Sequence, residues 1–84
     1  MESKTNKVTV TICGEEYVIK GQTDTEHIER VAALVHQKMT QTTLGNPRLP
    51  RNRAAVLVAL NLADELLRLQ ADYKQFLKIL KEEK

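Results

Sequence analysis

The sequence predicts an α+β fold in which an N-terminal β-hairpin is followed by two helices (ββαα), the second long and forming an intermolecular coiled coil. Three observations predict it. Residues 7–12 alternate β-branched apolar residues with polar ones, the period of a half-buried strand. Beyond Asp24 the apolar residues recur at three- and four-residue intervals, the period of a helix with one buried face. Finally, neither Gly nor Pro interrupts the stretch from Arg51 to the C-terminal lysines, so a single rod can run through it.

Residues 1–6 read as a polar, flexible lead-in. Val8, Val10 and Ile12 then point one way and Lys7, Thr9 and Thr11 the other. Cys13-Gly14-Glu15-Glu16 breaks the alternation, with Gly14 free to take a positive φ. Tyr17 to Lys20 resumes it and Gly21 ends it, giving a hairpin that needs a helix on its apolar face to be stable in water. Thr23-Asp24-Thr25-Glu26 fits a capping box with Thr23 as N-cap and Glu26 three residues on. Ile28, Val31, Ala32, Val35 and Met39 make the apolar stripe of a first helix over about residues 24–42. Gly45-Asn46-Pro47 stops that helix and Pro50 marks the next boundary.

The second helix carries the most informative pattern. Ala54 to Leu60 contains no polar side chain, so that part of the helix is apolar all round. Ala59, Leu62, Leu66, Leu69, Tyr73, Phe76 and Leu80 follow at spacings of 3, 4, 3, 4, 3 and 4, a heptad seam. A second stripe of Val56, Leu60, Ala63 and Leu67 runs beside it and gives way to Gln70 and Lys74. The first helix and the hairpin can cover one of these sides, and only another copy of the chain can cover the seam. A fully buried Leu is worth about 1.5–3 kcal/mol over an exposed one. Several left wet together rival a small domain's whole stability of about 5–15 kcal/mol. A homodimer is therefore expected, with residues 7–67 as a dimerising head and 68–84 as a coiled-coil extension. Tyr73 and Phe76 fill the seam, or form the place where two dimers meet.

Composition removes several functions. Aromatics are 4% of the chain, with no Trp, and the net charge is only +2, too little stacking surface and positive charge for a dedicated nucleic-acid binder. No apolar run has the length to cross a bilayer, and the first residues lack a signal peptide's apolar core. These features point to a cytoplasmic protein with no nucleic-acid or membrane partner. One cysteine, Cys13, builds no disulfide framework, and sitting in a turn without a neighbouring cation it reads as an inert thiol. His27 and His36 are nine residues apart, half a revolution out of phase, and share no metal. No phosphate loop, nucleophile–base pair or carboxylate pocket is present. The expectation is no enzyme, no cofactor, no metal and no small-molecule substrate.

The concentrated surface signal lies between the helices, where Arg48, Arg51 and Arg53 fall within six residues. Arginines at a helix start gain nothing from the local dipole, so the patch is either a solvated connector or a binding site for a negatively charged partner.

Taken in order, KVTVTICGEEYVIKG, VAALVHQKM, NPRLP and VLVALNLADELL resemble the ZapA cell-division proteins of bacteria, particularly the short forms. The match runs from about Lys7 to Leu69, its most telling parts being the strand ending at Gly14 and the Ala59-Leu60-Asn61 to Glu65-Leu66 string. The resemblance implies a ββαα head that pairs with a second copy, a coiled-coil C-terminal helix, and dimers joined as antiparallel tetramers. It implies binding to FtsZ, the tubulin-like GTPase that polymerises at the mid-cell division site, with cross-linking and bundling of its protofilaments. Charged residues near the hairpin turn and the start of the second helix are implicated in holding FtsZ in relatives, which maps onto Glu15, Arg48, Asn52 and Leu57 here. Two rivals remain: a dimeric ribbon-helix-helix-like DNA-binding protein, in which one strand per chain pairs with its mate in the major groove, and a bare oligomerisation module with another partner.

Overall fold

A computed structural model describes residues 6–82, which form β1 (Asn6–Ile12), β2 (Glu15–Gly21), α1 (Thr25–Gly45) and α2 (Arg51–Glu82) in chain order. The two strands pair antiparallel within one chain, from Asn6 opposite Gly21 to Ile12 opposite Glu15. That pairing differs from the strand-to-mate ribbon of the DNA-binding alternative. Asn6, expected in the lead-in, is the first strand residue, and its side-chain amide donates to the Thr23 carbonyl. Residues 1–5, the rest of the lead-in, lie outside the described residues.

The turn is tighter than the four-residue break expected. Only Cys13 and Gly14 form it, with φ of 51° and 84°, while Glu15 and Glu16 already belong to β2. Two successive positive φ angles give the turn whose twist matches that of the flanking strands. At the far end, Gly21 lets α1 approach closely, since a Cβ there would meet Ile28 Cδ1 at 3.3 Å.

The N-cap of α1 is Asp24, whose carboxylate accepts the His27 N–H at 3.1 Å. The expected cap at Thr23 is thus displaced by one residue, since a carboxylate also draws on the positive helix terminus. At its other end α1 runs past Thr42 to Gly45. The hydroxyls of Thr42 and Thr43 bond back to the carbonyls of Lys38, Met39 and Thr40 one turn earlier. The Asn46 N–H donates to the Thr43 carbonyl at 3.2 Å, satisfying one of the last free acceptors of the helix.

Two small cores hold the chain. Val8, Val10, Ile28 and Ala32 lie buried between β1 and α1, with Ile12 and Ile19 packed against them. Met39, Ala54 and Val58 are buried between α1 and α2, flanked by Ile12, Cys13, Val35, Leu49 and Leu62. Ile12 touches both and joins them. Val31, expected on the buried stripe, is instead 46% exposed, because the row that faces inward is Ile28, Ala32, Val35 and Met39.

These cores do not make a compact body. The radius of gyration is 17.2 Å, against about 12 Å for a compact domain of this length. The principal extents are 52 × 45 × 15 Å, those of a flat, open arrangement. The accessible surface is 7241 Å², roughly 2,000 Å² more than a folded monomer of this mass exposes. Most of that surplus belongs to α2, where every residue from Ala63 to Glu82 is exposed.

Candidate interaction site

α1 meets α2 along Ala54, Val58 and part of Leu62, with Lys38 and Glu65 forming an ion pair across the helices at 2.5 Å. Ala54, fully buried, has the small side chain that lets the helices close. This row is neither of the two stripes read from the sequence. Val56 lies about 200° around the helix from Ala54 at ~100° per residue, so Val56, Leu60, Ala63 and Leu67 face away from α1 and stay exposed. The expectation that α1 and the hairpin cover one stripe is corrected: both are bare. Of the seam, Ala59, Leu66, Leu69, Tyr73, Phe76 and Leu80 are exposed, and only Leu62 is half-buried within its own chain.

Leu77 and Ile79, which belong to neither stripe, are also exposed. They stand at the positions flanking a heptad seam, just after Phe76 and just before Leu80, where coiled coils usually carry charge. Their apolar character was the available signal. They widen the bare face near the helix end.

The second site forms where the hairpin turn meets the start of α2. Arg51 pairs with Glu15 through one guanidinium nitrogen. Through another it donates to the Cys13 carbonyl at 3.3 Å. The Tyr17 hydroxyl donates to the other oxygen of Glu15 at 2.9 Å. That hydrogen bond raises the Tyr17 pKa above its usual 10.0, assisted by slight desolvation and the nearby Glu15 charge and opposed by Arg51. His36 of α1 accepts the Cys13 N–H at 3.0 Å. Arg51 thus has an in-chain anion in Glu15, though both side chains stay half exposed, and its contact at Cys13 is to the backbone carbonyl and not to the thiol.

The remaining candidates divide. Asn52, Arg53 and Leu57 line one shallow depression of about 350 Å³ together with Leu49 and Val56. Arg48 lies in the turn before α2, outside that lining. Neither Arg48 nor Arg53 makes an ion pair among the described residues. So Arg51 faces the hairpin, Asn52, Arg53 and Leu57 face the depression, and each group sits at the edge of the head. Among the described residues no set of His, Cys, Asp and Glu could hold a metal ion, and no helix is long and apolar enough to cross a membrane.

A small two-layer head with a paired-charge edge, carrying a helix far longer than anything its own chain offers to pack on, defines a head-and-rod interaction module. The family model for cell division protein ZapA matches residues 8–83. Curated proteins named cell division protein ZapA are similar throughout. The one from Geobacillus kaustophilus is 41% identical over 93% of this chain and 86% of its own length. That from Geobacillus sp. strain WCH70 is 36% identical over 99% and 95%, and that from Bacillus thuringiensis strain Al Hakam is 34% identical over 88% and 83%. A solved structure described as a ZapA mutant dimer from Geobacillus stearothermophilus superposes with a TM-score of 0.76 at 36% identity, covering 95% of this chain and 93% of the other. The chain belongs to the ZapA family of cell-division proteins.

Proposed function

We propose that this protein is a homodimer, further paired into a dimer of dimers, that binds FtsZ in the cytoplasm at the mid-cell division site and cross-links and bundles its protofilaments, promoting Z-ring assembly. The observation that carries the reading is the bare seam of α2 on a chain of this family: a rod that requires a second copy makes an object with a head for each chain. Two heads joined rigidly grip two sites with the gain of effective concentration and no new contact. In this reading residues 7–67 are the dimerising head, which also grips the partner, and 68–84, whose last two residues lie outside the described ones, are the coiled-coil extension that spaces the heads. Glu15, Arg48, Arg51, Asn52, Arg53 and Leu57 form the FtsZ-facing edge. Ala59, Leu62, Leu66, Leu69, Tyr73, Phe76 and Leu80 pair the helices, and Val56, Leu60, Ala63 and Leu67 supply a second apolar face.

Co-sedimentation with polymerised FtsZ from the same cell tests it. Polymer is expected to carry the protein into the pellet and to scatter more light as bundles form. Changing Arg48 and Arg53 together to Ser is expected to weaken both effects while leaving the oligomer's mass unchanged. Pelleted polymer that brings none of the protein down and shows no added bundling defeats the reading and leaves a bare oligomerisation module with another partner.

A further inference from the structure

The hairpin turn is held by side chains from both helices, which a two-residue turn does not itself require. The ladder ends with Ile12 opposite Glu15, so the Cys13 N–H has no strand partner and in a free hairpin water would take it. Instead His36 reaches across from α1 and accepts it through Nδ1 at 3.0 Å. The carbonyl of the same residue is taken by Arg51 from α2 at 3.3 Å, and that guanidinium also pairs with Glu15. Cys13 stands at φ 51°, a conformation disfavoured for a residue with a Cβ. The two-residue turn requires that angle at its first position, and here a residue other than Gly supplies it. The Cys13 side chain is simultaneously packed beside Met39, Ala54 and Val58, so the turn cannot swing without disturbing the contact between the helices.

We propose that His36 is a positioning residue for partner binding: by fixing the Cys13 peptide it sets the orientation in which the Glu15–Arg51 pair is offered at the edge of the head. The inference rests on the reading that this edge meets FtsZ. His36 acts through the turn and touches no partner itself. The bond needs a lone pair at the Nδ1 position, which an Asn side-chain oxygen supplies and an Ala does not.

The test compares full-length His36→Ala and His36→Asn with the native chain by two readouts. In the protein alone, amide exchange with water at Cys13 is expected to speed up about fivefold in the Ala variant, the factor one ordinary hydrogen bond is worth. It is expected to return toward native in the Asn variant, with the Val8 and Val10 amides unchanged in both. In co-sedimentation with FtsZ polymer, the apparent affinity is expected to fall about fivefold for His36→Ala and to recover in His36→Asn, with self-association unaltered. Cys13 exchange unchanged in the Ala variant overturns the proposal, as does a loosened turn that binds FtsZ as well as before. Faster exchange at Val8 and Val10 as well also overturns it, since His36 would then be a general support of the head. A native chain that fails to bind FtsZ overturns the proposed function instead, and the exchange readout still decides whether His36 holds the turn.

Discussion

Leu69→Ala probes the seam where the single chain gives it least support. Leu69 is 66% exposed in one chain, so about two-thirds of its side chain awaits a cover. Full burial of a Leu is worth about 1.5–3 kcal/mol, which puts the uncovered part at about 1–2 kcal/mol per chain. A two-fold symmetric dimer places the residue in the interface twice, so the substitution forfeits about 2–4 kcal/mol. The dimer dissociation constant is then expected to rise by about 30-fold to several hundredfold. Sedimentation equilibrium over a dilution series measures it. Arg68→Ala is the control: its ion pair with Asp64 is on the exposed face of the same helix and contributes at most about 0.5 kcal/mol. A dissociation constant for Leu69→Ala within about threefold of native, or an equal shift for Arg68→Ala, refutes the assignment of this seam to self-association.

Three further substitutions test the head. Met39→Ala opens the small core between α1 and α2, where Met39 is buried, and is expected to lower stability by about 2–5 kcal/mol; a urea midpoint unchanged from native would show that the contact between the helices is not a core. Asp24→Ala removes the observed cap and is expected to lose about 1 kcal/mol, while Thr23→Ala loses little, and thermal melts in which Thr23→Ala is the worse of the two would restore the capping box centred on Thr23. In a Tyr73→Phe background, alkaline absorbance titration is expected to place Tyr17 above 10.0, held there first by its hydrogen bond to Glu15, and Glu15→Gln to bring it down. Because the folded chain holds this phenol proton more tightly than the unfolded one, the stability it adds is present below pH 10.0 and disappears as pH rises through the folded-state value. A Tyr17 that titrates identically with and without the Glu15 carboxylate would remove that bond from the account.

The elements were legible because each rests on local signals: the alternation of Val8, Val10 and Ile12, the helical spacing from Ile28 to Met39, and the unbroken stretch after Arg51. What escaped depends on contacts between distant residues or on a choice between near-equal options. Thr23 and Asp24 are both good caps, and the pattern of residue types alone does not say which of them accepts the His27 N–H. Three rows on α2 are apolar near its start, and periodicity cannot say that the small side chain of Ala54 would place α1 on the Ala54–Val58–Leu62 row. The charge pattern marked Arg48, Arg51 and Arg53 as a unit, yet Arg51 finds Glu15 across the hairpin and the other two do not. The positive φ at Cys13 was hidden because Gly14 alone accounted for a turn. His36 carried no sequence signal of its role at all, since its partner is a backbone N–H in another element.

The central claim is that α2 cannot stand alone and requires an identical helix. The most direct measurement is the solution mass of the native chain at micromolar concentration and below, followed together with its helical circular dichroism. The expected result is at least twice the 9.6 kDa of one chain, with helicity falling as dilution separates the copies. A stable 9.6 kDa species that keeps its full helix signal at every concentration would contradict it.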